Sequence, residues 1–270
     1  MSLTDPIGVF DSGVGGLSVL RCIREELPHE NLIYIADSGH APYGDKPQEY
    51  IEQRSITLAG FLLEHRAKAI VVACNTATAA AIATLRASFS LPIIGLEPGL
   101  KPALTLTRAG VVGILATRMT LGSRKFEDLV NRFGRNCKLV VQECPGLVEQ
   151  VEQMDLTGRK TRQLLENYVS ALLDHGADTI VLGCTHYPFL TPLIQEIAGP
   201  DVSIVDTGAA VAKEVSRRLR EAHLLSDYAG SGYAMFWTTD KKIGTAQVMQ
   251  NLWPDPVQVW TLPRAADRTR

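Results

Sequence analysis

Short runs of Val, Ile, Leu and Ala recur along the chain, separated by longer stretches in which apolar residues return every three or four positions. A brief continuous apolar run suits a parallel strand covered on both faces, and the wider spacing suits an amphipathic helix. The pattern therefore predicts a repeated strand–helix unit. Strands are expected at Ile7 to Phe10, Leu32 to Ala36, Ile70 to Ala73, Ile93 to Leu96, Val111 to Ala116, Leu139 to Gln142, Thr179 to Leu182 and Ser203 to Val205. Helices are expected at Gln48 to His65, Thr76 to Ser88, Ser123 to Phe133, Thr161 to His175 and Ala209 to Ala222. Gly176, directly after a histidine, supplies a stop signal for the fourth of these. Beyond Ser226 the texture changes to Gly230, Ser231 and Gly232, then to one more strand, helix and strand. A tail of about 45 residues rarely buries enough surface to fold alone, so it is expected to pack back on an earlier lobe.

The apolar runs also repeat among themselves. IGVFDS at 7–12 is similar to VGILAT at 112–117, and AIVVACNT at 69–76 is similar to TIVLGCTH at 179–186. Each half thus sets a cysteine, Cys74 or Cys184, at a comparable distance after its first strand. The repeat predicts an α/β protein of two related lobes, each a mostly parallel sheet flanked by helices. The expected division is 1–98 plus 209–270 around Cys74, and 99–208 around Cys184. Such units take ligands at the carboxyl ends of their strands, where both cysteines fall, so a site is expected in the cleft between lobes.

Composition narrows the classes that remain. At 46% hydrophobic and 21% charged residues the chain is ordinary globular material, and a net charge of -2 supplies no field for nucleic acid phosphates. No run approaches the roughly 20 apolar residues that span a bilayer, and Met1 to Pro6 lacks the look of an export signal, so a cytoplasmic protein is expected. Five thinly spread cysteines fit reduced thiols better than a disulfide framework. No CxxC pair or His/Cys zinc spacing is present, so no metal is expected.

Each of Cys74 and Cys184 follows a strand and precedes a helical stretch, which predicts a sulfur near a helix N-terminus and a lowered thiol pKa. A cysteine in such a place is as readily a small buried apolar side chain. The duplicated context favours chemistry for these two and leaves Cys22, Cys137 and Cys144 as structural. FDSGVGGLSVL at 10–20 offers a carboxylate, a hydroxyl and close backbone approach, or else a simple turn. Its glycines miss the dinucleotide spacing, and Asp37 is the nearest candidate for the acid that fingerprint needs. Asn75, Thr76 and Thr185 are placed to hold a carboxylate or to cap helices, and His186 to orient Cys184 or to sit satisfied at the surface. APYGDKP at 41–47 reads as a binding loop or an ordinary turn.

Taken together, FDSGVGGLSVL, the APYG loop, VVACNTATA, PIIGLEPGLKPA, VGILATRMT, CPGLVEQVE, LGCTHYPFL and VDTGAAVA resemble the glutamate racemase family over most of residues 7–212. AMFWTTD and PVQVW extend the likeness into the tail. The resemblance implies an isomerase that interconverts L- and D-glutamate without a cofactor, supplying D-glutamate for cell-wall peptidoglycan and so for cell shape. It implies Cys74 as base for D-glutamate and Cys184 as base for L-glutamate, with Asp11 assisting Cys74, and His186 and Glu152 near Cys184. Asp11, Ser12, Tyr43, Gly44, Asn75, Thr76, Thr117, Thr185 and His186 match positions that hold the substrate. Glu149 stands where the family more often has proline. A homodimer is the family's common state, and glutamate the implied small-molecule partner.

Bottom-up chemistry agrees with that implication. Racemisation needs a base on one face of Cα and a proton donor on the other, and two thiols from related lobes supply both. The carbanion has to be stabilised by hydrogen bonds to the α-carboxylate in a cleft closed against water, so the lobes are expected to close on substrate. Rival readings are a racemase for aspartate or a hydantoin, a two-lobed amino-acid-binding protein, and a redox dithiol in which Cys74 and Cys184 join reversibly.

Overall fold

The computed structural model describes residues 2–134, 137–241 and 243–263. The end of the expected first lobe, 264–270, lies outside the described residues. In chain order the elements are β1 (Ile7–Asp11), α1 (Leu17–Glu26), β2 (Leu32–Ala36), α2 (Gln48–Glu64), β3 (Ala69–Val72), α3 (Asn75–Ser88), β4 (Ile93–Gly95), α4 (Leu100–Leu106), β5 (Val111–Ala116), α5 (Arg118–Leu121) and α6 (Arg124–Phe133). They continue with β6 (Lys138–Glu143), α7 (Leu147–Glu152), α8 (Arg159–Leu173), β7 (Thr179–Leu182), α9 (Thr191–Ala198), β8 (Ser203–Val205), α10 (Gly208–Glu221), β9 (Ala234–Thr238), α11 (Ile243–Leu252) and β10 (Val259–Thr261).

Among the described residues the strands form two sheets. One runs β10–β9–β2–β1–β3–β4 and the other β6–β5–β7–β8, and every pairing in both is parallel. The order β2–β1–β3–β4 in the first sheet recurs as β6–β5–β7–β8 in the second. The strands whose sequences resemble each other, β1 with β5 and β3 with β7, are the two central ones of each repeat. Every residue of β1, β2, β3 and β7 is buried. That burial explains their unbroken apolar sequence, since each enclosed Val, Leu or Ile contributes roughly 1.5–3 kcal/mol.

The predicted bounds of β2, β5, β7 and β8 coincide with the observed ones, and those of the other strands up to β8 slip by one residue. Helices α1, α4, α5, α7 and α9 escape the sequence pattern. Helix α1 begins straight after Gly16, so the glycines that read as a turn lead directly into a helix whose Leu17, Val19, Leu20 and Ile23 are buried. It packs along α10, which presents Val211, Ala212, Val215 and Leu219. Helix α8 ends at Leu173, two residues before the predicted end, and Gly176 then takes φ +86°, a left-handed conformation that glycine adopts without strain.

The tail adds β9 beside β2, with Leu32 opposite Ala234, and β10 beyond it. A buried ion pair holds its beginning in place. Lys68 Nζ lies 2.5 Å from Glu30 Oε2, and Glu30 Oε1 accepts the Ser226 N–H at 2.7 Å. No helix among the described residues is long and apolar enough to cross a membrane.

Candidate active site

Four strand ends, two from each sheet, deliver the chemistry to one place. Strand β1 ends at Asp11 and runs into Ser12; β3 is followed by Cys74; β5 runs into Thr117; and β7 is followed by Cys184, Thr185 and His186. One cavity is bordered by Ser12, Tyr43, Gly44, Cys74, Asn75, Thr76, Thr117, Cys184, Thr185 and His186, with Pro42 and Val148 completing its wall. Both cysteines therefore line a shared space. That space is about 10 Å³, room for about one water, so an amino acid enters only if the walls part. A roomier cavity of about 730 Å³, lined from β4, α4, α6 and α10, contains neither cysteine and none of these groups.

Cys74 is the N-cap of α3, and its sulfur accepts the Ala77 N–H at 3.4 Å while its thiol donates to Ser12 Oγ at 3.7 Å. The sequence argument expected that helix end to lower its pKa. The opposite holds, because burial and the Asp11 charge push the Cys74 thiol well above its ordinary value of 9.0. The magnitudes explain the outcome. A helix terminus contributes roughly 0.3–2 kcal/mol, whereas full burial shifts a group by up to about 3–5 pKa units, each worth about 1.4 kcal/mol.

Asp11 is fully buried one layer behind the cavity rather than on its wall. Its Oδ1 accepts the Ser12 N–H at 2.7 Å, and its Oδ2 accepts the Gly16 N–H at 2.6 Å and the Thr185 hydroxyl at 3.3 Å. Burial raises its carboxyl above the ordinary carboxylate value, against the pull of the His186 charge and of hydrogen bonds from Cys74 and the backbone.

No helix begins directly after Cys184, which corrects the expected symmetry. A bend and a turn come first, then a 3-10 turn at Tyr187–Leu190, and only then α9. The neighbour of the sulfur is instead His186, whose Nδ1 lies 3.8 Å from Cys184 Sγ and whose Nε2 meets Glu152 Oε1 at 2.7 Å. His186 is buried, not a surface residue. Burial pulls its pKa down, but hydrogen bonds and charge from Cys184 and Glu152 outweigh that and carry it well above 6.5. An imidazolium is thus held against the second sulfur at neutral pH.

Glu152, like Asp11, stands behind the cavity wall. Its Oε1 also accepts the Val14 N–H at 2.6 Å and its Oε2 the Ser38 hydroxyl at 3.2 Å, so this carboxylate from α7 grips the loops that follow β1 and β2. Ser18 adds a second clasp by donating to the Thr185 carbonyl at 2.9 Å. Glu149, by contrast, lines a neighbouring small cleft with Asp45, Arg118 and Glu143, which shares Pro42, Gly44, Thr117 and Val148 with the cavity but includes neither Cys74 nor Cys184.

The remaining groups suit a carboxylate or an ammonium. Thr76 and Thr117 hydroxyls lie 2.9 Å apart, and Thr120 completes the triangle at 3.3 and 3.0 Å. Asn75 is buried, and its Oδ1 has no hydrogen-bond partner, which leaves that end of the amide free for a ligand. Gly44 sits against Thr117 of the second sheet's side; a Cβ there would lie 3.2 Å from the Thr117 Cβ. The Tyr43 hydroxyl donates at 2.5 Å to Oδ2 of Asp37, which is not on the cavity wall, so the phenol is engaged outside the lining. Thr120, Ser18 and Ser38 were not apparent from sequence. A threonine three positions after the capping Thr117 was a usable signal for the first; the serines make contacts more than a hundred residues away and gave none. Among the described residues no group of three or more His, Cys, Asp or Glu side chains is arranged to hold a metal.

Residues 7–215 match the Asp/Glu/hydantoin racemase family. The chain is 57% identical over 258 residues to the glutamate racemase of Methylococcus capsulatus, an alignment covering 96% of this chain and 95% of that one. Among solved structures it is similar to the glutamate racemase of Francisella tularensis in complex with D-glutamate, at TM-score 0.84 and 28% identity over 97% of this chain and 98% of the other. It is also similar to the Escherichia coli glutamate racemase in complex with L-glutamate and the activator UDP-MurNAc-Ala, at TM-score 0.83 and 32% identity over 95% and 97%.

Proposed function

The chain belongs to the Asp/Glu/hydantoin racemase family, and from that premise we propose that it interconverts L- and D-glutamate with Cys74 and Cys184 as opposed acid and base. The observation that carries this reading is that Cys74 and Cys184 line one small cavity from equivalent strand ends of two sheets. On L-glutamate, the Cys184 thiolate takes the Cα proton, the electron pair stays on Cα, and the Cys74 S–H gives its proton to the opposite face. D-glutamate runs the same steps in reverse. Asp11 and Glu152 act through their neighbours: Asp11 makes the Cys74 thiolate a stronger base, and Glu152 orients His186 beside Cys184. The unpaired Asn75 Oδ1 accepts from the substrate ammonium, while the hydroxyls of Ser12, Thr76, Thr117 and Thr185 donate to the carboxylates and so stabilise charge that spreads from Cα.

In this reading the chain divides into lobes at 1–98 with 209–270 and at 99–208, which part to admit substrate and close to exclude water. The enzyme works in the cytoplasm as a homodimer and supplies D-glutamate for peptidoglycan. The test is incubation with L-glutamate in D2O without added cofactor, following optical rotation and deuterium at Cα. Loss of rotation with deuterium in the D-isomer supports the proposal. Turnover of L-aspartate in preference to L-glutamate would redirect it to the family's other branch.

The pKa directions fix the pH dependence. Turnover needs one sulfur ionised and one protonated, so the profile belongs to the pair. Because the Cys74 thiol titrates well above 9.0, it keeps its proton through neutral and mildly alkaline pH. The bell-shaped profile of kcat/KM is therefore expected to begin its alkaline fall only above pH 9. It is identical for the two enantiomers, whose interconversion has an equilibrium constant of one. A fall already complete by pH 8 contradicts the assignment of Cys74 as the proton carrier.

A further inference from the structure

Asp37 and Arg54 form a fully buried ion pair that the reaction as described does not use. Arg54 Nε reaches Asp37 Oδ2 at 3.0 Å and Nη2 reaches Oδ1 at 2.7 Å, a fork that fixes the carboxylate in plane. The backbone N–H of Asp37 donates to the Asp11 carbonyl at 2.9 Å, which anchors the pair to the end of β1 beneath the site. Asp37 Oδ2 also accepts from the Tyr43 hydroxyl at 2.5 Å, and Tyr43 is buried and lines the cavity.

A buried ion pair is weak support for stability, since well-packed apolar residues of the same volume usually serve as well or better. The pair thus calls for another reason, and the phenol links it to the cavity wall. Burial, with the charge of Asp37 and the hydrogen bond to it, pushes that phenol well above its ordinary pKa. Tyr43 is therefore always the donor and never an acid or base in turnover. What the contact does is fix the 3-10 turn Tyr43–Asp45, which carries Gly44 against Thr117 across the cavity.

We propose that Asp37 and Arg54 are positioning residues for the racemisation, holding the Pro42–Gly44 wall through the Tyr43 hydroxyl and so setting substrate affinity rather than the rate of proton transfer. The proposal rests on reading the cavity as a glutamate racemase site.

Steady-state racemisation of both enantiomers is measured for the full-length wild type, Tyr43→Phe, Arg54→Lys and Tyr43→Phe/Arg54→Lys, with circular dichroism melts for each. Tyr43→Phe leaves Asp37 paired with Arg54, so it is expected to fold. It raises KM for both isomers about tenfold, the worth of one hydrogen bond to a charged group, with kcat changed less than about twofold. Arg54→Lys keeps the charge but loses the fork and shifts KM the same way. The double variant is no worse than the poorer single one, as for groups acting through one contact. A folded Tyr43→Phe with wild-type KM, a fall in kcat at constant KM, or effects that multiply overturns the proposal. If Arg54→Lys does not fold, Tyr43→Phe combined with Asp37→Asn decides by the same criteria. A wild type that does not racemise glutamate sinks the underlying reading instead, and the two failures are distinct.

Discussion

Replacing Cys184 by alanine is expected to lower racemisation of both enantiomers by at least about 10³-fold, within the range lost when a positioned acid–base group is removed. The sulfur lies 3.8 Å from His186 Nδ1, and both residues line the cavity. Without the sulfur, the ring left on that side is His186, whose pKa is carried well above 6.5, so it already holds its proton and does not take one from Cα. Cys74→Ala is expected to match this loss, because in the proposed mechanism each sulfur serves as base in one direction and acid in the other. The double variant is then no slower than either single one, as for residues that act as a unit. Cys137→Ala, in the loop before β6 and outside the cavity, keeps wild-type rates. Polarimetry on variants with native circular dichroism decides the matter: more than a tenth of the activity left in either single variant removes the two-thiol mechanism.

The second large effect is expected from adding one methyl group. A Cβ at Gly15 would lie 2.2 Å from His186 Nδ1 and 2.6 and 2.7 Å from its Cε1 and Cγ. The ring is 1% exposed and pinned at Nε2 by Glu152, so it has no room to swing aside at low cost. Gly15→Ala therefore displaces His186, breaks its contact with Cys184 and lowers kcat by about 10²-fold, with a stability loss of roughly 1–3 kcal/mol from overpacking. Gly60→Ala, in α2 with nothing within 4 Å of the added carbon, is the control. It is neutral or raises Tm slightly, as alanine in a helix interior does. Wild-type kcat in Gly15→Ala would show that the position of His186 is immaterial to turnover.

The parallel strands were legible because burial on both faces leaves no polar alternation to confuse the pattern, and the repeated Cys-centred strings marked the two that matter. Short or oddly started elements were not. Helix α5 has four residues and α7 six, too few for a period of 3.6 to declare itself. Helix α1 hides behind Gly13, Gly15 and Gly16, which are glycine because His186, Glu152 and Tyr34 approach them from elsewhere in the chain. Most side chains on the cavity could be named from sequence because they sit within four residues of a strand end. The partnership of Asp37 with Arg54 could not. Arg54 occupies a helix face like any solvated arginine, and only the assembled sheet reveals that this face is sealed. The thiol acidity failed for a related reason: the helix end was visible in sequence, but the depth of burial that outweighs it was not.

A chamber with space for a single water has one more effect, on hydrogen itself. In the two-thiol mechanism proposed above, while the walls stay together no solvent chain carries protons between the sulfurs, so each turnover ends with its hydrogen stored on the sulfur opposite to where it began. The free enzyme released from L-glutamate differs from the one released from D-glutamate only in which thiol is loaded. Until exchange with bulk water erases it, that difference is a one-bit memory of the handedness last processed.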